Sequence, residues 1–391
     1  MIDFELSAAQ RFRRDKAREF ASECIAPIAD SVDRNHQFPI EAVERAARIG
    51  LTSMLIPSAY GGAGYDNLSA GVVLEELGAA CSGLATVLGA SILGAGPIVL
   101  LGTESQKQQL LRRITEDVSG RFLCAFAVTE AAAGSAAASG HPHFGVQLRA
   151  RRETDSYVLS GRKCFISNGS VARLFSVLAR THPKKGALGG LSFFAVEAEH
   201  GIQYGRIEDK MGQRACSVAE LIFDEVRVPL ENLLGAEGLG VVGLMQTMSF
   251  SMPLVAAVCL GLARAATEQA LRFARANALL DDQGVAMRLF DMATAVEAAR
   301  DLVWRALWQN DQRMDHTTGR LHGAPNLRLA AMAKVFASDV CVKAVDDAIQ
   351  IIGPQALTGG HPLSKLARDA KLMQIYEGTN QVHRIATARL L

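Results

Sequence analysis

Apolar residues recur at helical spacing through the first 120 residues of the chain. Ala17, Phe20, Ala21 and Cys24 lie three, one and three residues apart, which is the repeat of a helix that buries one face. Pro39 suits the first turn of a second helix over residues 40–49. We therefore predict an N-terminal all-helical domain over residues 1–120.

The pattern changes near residue 121. Short segments rich in β-branched and aromatic residues follow, separated by turn sequences such as Ser167-Asn168-Gly169. They cover residues 121–128, 145–151, 157–166, 174–179, 191–196 and 218–228. Because no helix-length crossover separates these segments, we predict a small β domain of antiparallel character over residues 121–232.

Helical spacing returns after Pro229 and persists to the end of the chain. We predict helices near residues 240–276, 285–313, 326–352 and 378–391. Four helices joined by short connections favour an antiparallel four-helix bundle over residues 233–391. The fold class is therefore α+β and mainly α, with the β domain between two helical domains.

Two stretches, residues 77–103 and 238–263, carry no charged side chain. Each exceeds the roughly 20 residues that cross a bilayer. Both contain serine, threonine and proline, and neither has flanking aromatic belts. We interpret them as buried helices of a large domain, and we expect no membrane partner.

Composition narrows the choice of partners. The chain has 41 Lys and Arg against 40 Asp and Glu, so we expect no nucleic acid partner. Its seven cysteines form no Cys-x-x-Cys pair, which argues against a disulfide framework and against a metal site. The first six residues lack a basic region followed by an apolar one, so we expect a cytoplasmic protein.

Two segments of the β domain could contact a cofactor. Phe126-Ala127-Val128-Thr129-Glu130 leads into a loop of small residues, where backbone N–H groups can approach a flat polar ligand. Phe165 and Ser167 pair an aromatic ring with a hydroxyl at a strand end. Each segment alone is also typical of an ordinary strand end with its turn.

A third segment, residues 374–384, carries an acid in an unusual setting. Glu377 stands between an apolar pair and Gly378, just before a helix that Thr379 could cap. A carboxylate held by such a turn can reach into a cavity and act as a base. The alternative is an acid that only interacts with the helix dipole.

These segments stand together in the order of a known family. With Leu55-Ile56-Pro57, Glu75-Glu76-Leu77, Met211-Gly212-Gln213-Arg214 and Arg368-Asp369-Ala370-Lys371, the chain resembles the acyl-CoA dehydrogenases over nearly its whole length. The resemblance implies the same three domains, FAD as cofactor, and a homotetramer or dimer. It also implies an electron acceptor such as an electron-transfer flavoprotein.

The resemblance assigns roles to individual residues. Glu377 matches the catalytic base; some members place this base at the position of Ser251, where a serine is too weak. Positions that match FAD contacts are Phe126, Val128, Thr129, Gly134, Ser135, Phe165, Ser167, Gln350, Thr379 and Gln381. Positions that match substrate contacts are Ser135, Ser251, Met252, Tyr376 and Gly378.

The implied reaction is α,β-dehydrogenation of an acyl thioester, with Glu377 abstracting the α-proton and flavin N5 taking the β-hydride. A flavin-dependent monooxygenase or oxidase on the same fold is an alternative, as is a degenerate, non-catalytic flavoprotein. Relatives that use CoA usually carry an arginine at the position of Met252. Its absence suggests an acyl carrier protein in place of CoA, unless Met252 simply packs in the core.

Overall fold

The structure of the protein is a computed structural model that describes residues 5–324 and 326–391. Residues 1–4, on which the prediction about a secretory signal partly rests, lie outside the described residues. The N-terminal part contains the helices α1 (Ala8–Phe20), α2 (Ala29–Arg34), α3 (Ile40–Arg48), α4 (Asn67–Leu101) and α5 (Glu104–Thr115). Helical spacing thus predicted this region correctly.

Local capping fixes where the N-terminal helices begin. Ser7 and Gln10 exchange side-chain and backbone hydrogen bonds in a capping box at the start of α1. Asp66 caps α4 by accepting from the Ser69 N–H. These side chains satisfy N–H groups that have no partner within the helix.

The β domain is one sheet of eight strands. They are β1 (Cys124–Ala127), β2 (Arg149–Arg152), β3 (Ser156–Ser167), β4 (Leu174–Arg180), β5 (Leu191–Glu197), β6 (Gln203–Ile207), β7 (Val218–Pro229) and β8 (Leu233–Leu234), with a helical turn, α6 (Ala187–Gly190), before β5. The spatial order is β6-β7-β3-β2-β4-β5-β8, and β1 pairs with β4.

Pairing in the sheet is mainly antiparallel, as predicted, with one correction. Strand β1 runs parallel to β4, and β2 meets β4 through a parallel bridge at Arg149 and Arg180. The parallel pair is possible because β2 and β3 lie between β1 and β4 in the chain and supply the long connection that parallel strands need. Strand β6 was not predicted.

The C-terminal part contains α7 (Gly240–Ala276), α8 (Gln283–Asp311), α9 (Leu327–Ile352), α10 (Pro362–Met373) and α11 (Asn380–Ala388). The first three match the predicted helices closely. The predicted fourth helix, residues 378–391, is wrong in extent, because it begins only at Asn380 and a separate helix, α10, precedes it. Pro362 starts α10, where a missing N–H costs nothing.

The two uncharged stretches form the central helices α4 and α7. Both are long and apolar enough to cross a membrane by length and composition, yet most of each lies inside the fold. The two helices pack closely: a Cβ added at Gly261 would lie 2.2 Å from the Glu75 carbonyl oxygen. The interpretation of both stretches as buried core helices is confirmed.

Buried charges join the helical domains. Glu75 and Glu76 on α4 are buried, and Arg264 on α7 donates to Glu76 at 2.8 Å. Arg300 on α8 donates to Glu75 at 3.0 Å. Each carboxylate is therefore compensated by a guanidinium, so these acids are structural rather than catalytic.

The β domain rests on the C-terminal half of α4. Ser176 on β4 donates to the Gly94 carbonyl at 2.7 Å, and the Cys124 N–H of β1 donates to the Ser91 hydroxyl at 3.0 Å. The end of β1 is thereby placed beside the helices that form the apolar core. The seven cysteines are all free thiols.

Candidate active site

Glu377 lies in a tight turn between α10 and α11. Its φ is +55° and that of Gly378 is +83°, so two consecutive residues occupy the left-handed region. This region costs a non-glycine residue free energy, and such residues concentrate at functional sites. A Cβ at Gly378 would lie 2.5 Å from the His383 ring, so the turn requires glycine there.

The Glu377 carboxylate contacts helix α7. The Ser251 hydroxyl donates a hydrogen bond to Glu377 Oε1, which brings together two residues that are 126 positions apart. Burial raises the pKa of Glu377, while the Ser251 hydrogen bond and the positive charge of Lys334 oppose that rise. Glu377 is therefore a stronger base than an exposed glutamate, which is what abstraction of a weakly acidic proton needs.

The backbone of the turn is held from two sides. The Lys334 ammonium donates to the Gly378 carbonyl at 2.8 Å and to Asn380 Oδ1 at 3.0 Å. His383 Nε2 lies 2.7 Å from the Glu377 carbonyl oxygen, which can only accept. In contrast, the Glu377 N–H finds no acceptor among the described residues, so it remains available to a ligand oxygen.

Sequence reasoning missed Lys334. The signal was present: within residues 329–337, Leu-Ala-Ala-Met-Ala-Lys-Val-Phe-Ala, it is the single charged side chain. A charge in an apolar helical run is either exposed or has a specific buried partner. Lys334 is fully buried, and burial lowers its pKa to about 8.

Tyr376 packs on the other side of the turn. Its hydroxyl lies 3.0 Å from Met373 Sδ and 3.4 Å from Gln213 Nε2, and burial raises its pKa. The Gln213 N–H donates in turn to the buried Asp369 carboxylate. The motif residues Gln213 and Asp369 are thus connected to the Glu377 turn through Tyr376.

An apolar cavity of about 60 Å³ adjoins Ser251. Helices α4 and α7 supply most of its wall, and Ser251 is one of its few polar groups. The lining residues are Thr52, Leu55, Ile56, Asn67, Ile92, Leu93, Ala95, Gly96, Val99, Leu100, Thr247, Phe250, Ser251, Leu254 and Met314. No Lys, Arg, Asp or Glu is among them, so the cavity suits an uncharged, apolar group.

Met252 does not line this cavity. Its side chain is fully buried and packs against Ala330 and Ala331 on α9. Neighbouring positions on a helix point in different directions, so Ser251 can face the cavity while Met252 faces α9. Core packing, the alternative that the sequence left open for Met252, accounts for this residue.

The ends of β1 and β3 meet at a second cluster of the predicted residues. The Cys164 N–H donates to the Thr129 carbonyl at 3.0 Å. The fully buried Lys163 donates to the Val128 carbonyl and to Glu130 Oε1, both at 2.8 Å. Burial lowers the pKa of Lys163 to about 8, although its contact with Glu130 opposes this shift.

Glu130 fixes the loop that follows β1. Its two carboxylate oxygens accept from the N–H groups of Gln147 and Leu148 at 2.8 and 2.9 Å. The small-residue loop that contains Gly134 and Ser135 is therefore fixed at both ends by the mostly buried Glu130 side chain. Like Lys334, Lys163 was not predicted, because only the fold determines which lysines are buried.

The predicted flavin contacts on this side present open surfaces. Phe165 has a φ of +55° and its ring is 57% exposed. Ser135 is exposed and Ser167 is half-buried. A side chain added at Gly134 would meet no atom within 4 Å. Phe126 and Val128 are more enclosed, and the Phe126 ring stacks on Phe193 at 5.6 Å between centroids.

The remaining predicted contacts lie apart from this cluster. Thr379 caps α11 by accepting from the Val382 N–H at 3.1 Å, as the sequence indicated. Gln381 and Gln350 are exposed, on α11 and near the end of α9. In the described part of the chain, no hydrogen bond joins either glutamine to the residues around Phe165. The predicted FAD residues therefore stand on two sets of elements, the strands β1 and β3 with the loop after β1, and the helices α9 and α11.

Within residues 5–324 and 326–391, no group of three or more histidine, cysteine or acidic side chains could hold a metal ion. Glu377 is the carboxylate that the structure places against the cavity wall through Ser251.

The sequence matches three family profiles that follow one another along the chain. They are the acyl-CoA dehydrogenase N-terminal domain over residues 7–117, the middle domain over 125–226 and the C-terminal domain over 238–391. Fold and site together define an acyl-CoA dehydrogenase-type flavoprotein.

Individual relatives agree with the profiles. The chain is 38% identical over 392 residues to cyclohex-1-ene-1-carbonyl-CoA dehydrogenase of Syntrophus aciditrophicus (strain SB), covering 99% of this chain and 91% of that protein. The structure of butyryl-CoA dehydrogenase from Megasphaera elsdenii has a TM-score of 0.91 at 34% identity and covers 100% and 99% of the two chains. That of the prolyl acyl carrier protein oxidase AnaB has a TM-score of 0.90 at 27% identity, covering 99% of each. The chain belongs to the acyl-CoA dehydrogenase family.

As a member of this family, the protein is an oxidoreductase that acts on CH–CH groups, and its cofactor is FAD. The residues present fit a flavin. The exposed Phe165 ring can cover one face of a planar ring system, and the Ser135 and Ser167 hydroxyls can bond its polar edges. The open backbone at Gly134 leaves room for a ligand to approach closely.

Proposed function

We propose that the protein catalyses the α,β-dehydrogenation of an acyl thioester, with Glu377 as the base that removes the α-proton. One observation carries the proposal: the Glu377 carboxylate is bonded to Ser251, which lines the uncharged apolar cavity. A base that is bonded to the wall of an apolar cavity suits a substrate whose acyl chain is buried there and whose Cα lies beside Glu377.

The chemistry needs a base of raised pKa and a stabilised enolate oxygen. Burial supplies the first, because it raises the pKa of Glu377. The Glu377 N–H, which has no acceptor among the described residues, is suited to hydrogen-bond the thioester carbonyl as negative charge develops there. FAD, when bound, supplies the acceptor for the β-hydrogen as a hydride.

We propose CoA as the carrier of the acyl group. A carrier protein was suggested by Met252 and by the uncharged run over residues 238–263, but Met252 packs against α9 and does not line the cavity. The test compares kcat/KM for one acyl group on CoA and on an acyl carrier protein. Higher efficiency on the carrier protein would reverse this assignment.

We also propose that the protein is a homo-oligomer, a tetramer or dimer, and that an electron-transfer flavoprotein accepts its electrons. Large apolar side chains are exposed on α8, α9 and α11, among them Met287, Phe290, Phe336 and Ile385. Apolar surface of this kind marks protein interfaces. Sedimentation velocity measures the oligomeric state, and a sedimentation coefficient typical of a monomer would contradict the proposal.

The decisive variant is Glu377→Gln. It keeps the shape of the side chain and removes the basic oxygen, so we expect flavin reduction by the substrate to slow by about 10²–10⁴-fold. FAD content should stay at the wild-type level. The measurement is anaerobic bleaching of the flavin absorbance with a panel of acyl-CoA thioesters.

Two results would contradict the proposal. If Glu377→Gln bleaches at the wild-type rate, the base lies elsewhere. If no acyl thioester bleaches the wild-type flavin, the monooxygenase, oxidase or non-catalytic alternatives gain support.

A further inference from the structure

Lys334 is a buried charge for which the proposed reaction has no role so far. Lys334 is exposed neither to solvent nor to the cavity, since 0% of its surface is accessible. Its ammonium makes no ion pair within 4.0 Å with any carboxylate in the described part of the chain. A buried charge without an opposite charge in contact is costly, so its retention calls for a specific reason.

The contacts of Lys334 all converge on the Glu377 turn. Two of its three N–H groups bond the Gly378 carbonyl and Asn380 Oδ1. Asn380 is itself fixed, because its amide donates to Ser338 Oγ at 2.8 Å and to Asp339 Oδ1 at 2.9 Å. The ammonium thus reaches the turn directly and through one rigid neighbour.

We propose that Lys334 is the positioning residue of the Glu377 turn, holding its backbone through Gly378 and supplying the positive charge that keeps the Glu377 carboxylate ionised. The inference rests on the function proposed for Glu377 and adds a second residue to it. Lys334 acts through the turn and does not touch the substrate.

Among the groups around Lys334 and Glu377, Lys334 is the cation whose charge acts on the Glu377 carboxylate. The groups that face Lys334 or Glu377 are Ser251 and Cys259 from α7, Asp339 from α9, Arg384 and His383 from α11, and Tyr376 from the turn. Asp339 is paired with Arg384. Burial lowers the pKa of His383 and raises those of Cys259 and Tyr376, so these three groups are neutral near pH 7.

Titration of Lys334 gives the inference a distinctive pH dependence. The pKa of Lys334 is lowered to about 8, so its charge is present below pH 8 and is lost above it. Removing the charge should raise the pKa of Glu377, and about one unit would cost about tenfold in the ionised fraction at lower pH. Above pH 8 the wild-type lysine is itself neutral, so the difference should shrink.

The test uses the FAD-loaded protein and three variants. Lys334→Met removes the charge and both hydrogen bonds, Lys334→Arg keeps the charge, and Lys343→Met makes the same change at an exposed position of α9. Lys343 is a fair control because its partner Asp347 keeps a second cation, Arg288. The rate of anaerobic flavin reduction is measured from pH 6 to pH 9, together with FAD content.

We expect Lys334→Met to retain FAD and to reduce it more slowly at the acid end of the pH range, by up to about tenfold, with the deficit closing as the pH rises. Lys334→Arg and Lys343→Met should keep the wild-type pH profile. Amide hydrogen exchange over residues 374–383 should rise in Lys334→Met, a readout that does not depend on activity.

A rate loss that is equal at every pH, or no loss at all, overturns the role of the charge. If Lys334→Met does not fold, Lys334→Arg decides the question: a wild-type pH profile supports the role of the charge, and a profile shifted to higher pH overturns it. Failure of the wild-type protein to reduce flavin with any thioester would instead contradict the proposed function, so the two failures are distinguishable.

Discussion

Two sites with a left-handed backbone, the irregular part of β3 at Phe165 and the turn at Glu377, are built alike and serve different ends. Phe165 and Glu377 both adopt a φ of +55°, and each has a fully buried lysine nearby, Lys163 and Lys334. Burial lowers the pKa of both lysines to about 8. The difference lies in the partner: Lys163 contacts the Glu130 carboxylate at 2.8 Å, whereas Lys334 bonds a carbonyl and an amide oxygen.

The partner decides what the charge can do. At Lys163 the carboxylate cancels the charge locally, and the pair ties β1, β3 and the following loop together. At Lys334 no carboxylate is in contact, so the field remains available to the nearby base. The first lysine therefore serves the architecture of the flavin side, and the second serves the chemistry of the base.

The largest effect should come from breaking the first pair. Lys163→Met leaves the mostly buried Glu130 carboxylate without its cation, and removal of one partner of a buried pair costs about 3–5 kcal/mol. We expect a lower thermal midpoint and, because the ends of β1 and β3 loosen, a loss of bound FAD. Differential scanning calorimetry and the flavin absorbance of the purified protein measure the two effects.

The contrast with the Glu377 turn provides the check. Lys163→Met should lose FAD, whereas Lys334→Met should keep it and lose rate. The double variant Lys163→Met/Glu130→Gln should recover part of the stability, since no unpaired charge remains. Lys184→Met, at an exposed lysine of the neighbouring loop, should change neither property. Full FAD retention in Lys163→Met would show that Lys163 and Lys334 do not have these separate roles.

The next largest effect concerns the hydrogen bond to Glu377. Ser251→Ala removes the donor to Oε1, and a hydrogen bond to a charged group contributes about 1.5–3 kcal/mol. Its loss should raise the pKa of Glu377 further, so flavin reduction should slow by up to about tenfold on the acid side of the pH profile and recover as pH rises. Stopped-flow rates against pH measure this shift.

Ser249→Ala is the matched control for this change. Ser249 lies on the same helix, and its hydroxyl bonds only the Met245 carbonyl one turn back. We expect its pH profile to equal that of the wild type. An unchanged profile in Ser251→Ala would show that this contact does not influence the base.

Periodicity predicted most of the fold because most elements bury one face. It missed β6, whose five residues are almost all exposed, so no alternation marks it. It also missed α10, since residues 353–362 were interpreted as a break and no helix was predicted between them and residue 378. Short elements whose position depends on neighbours leave a weak local signal.

In the candidate site, too, local patterns were predictable and contacts between distant residues were not. The motif predicted Glu377 as the base, which stays a prediction, and the capping role of Thr379 was predicted correctly. The contact between Ser251 and Glu377, and the burial of Lys163 and Lys334, join residues far apart in the chain. The spacing of residues gives no information about such contacts, and the sequence does not distinguish a buried lysine from an exposed one.

The smallest effect should come from the ring of Phe165. The ring is 57% exposed, so Phe165→Ala removes little buried surface and should leave stability nearly unchanged. If the ring covers one face of the flavin, its loss should weaken FAD binding by about 0.5–1.5 kcal/mol, or roughly two- to tenfold. Titration of the apoprotein with FAD, followed by flavin fluorescence, measures the affinity.

Phe144→Ala is the matched control, because Phe144 is 63% exposed and lies on the loop anchored by Glu130. It should bind FAD like the wild type. A second variant separates the effect of the ring from that of backbone strain. Phe165→Gly removes the ring and also relieves the strain of the positive φ. Both Phe165 variants should therefore lose the same affinity, while the glycine variant is the more stable. Equal affinity of Phe165→Ala and the wild type would mean that the exposed ring has another role, and the likeness between the two sites would then be limited to their backbones.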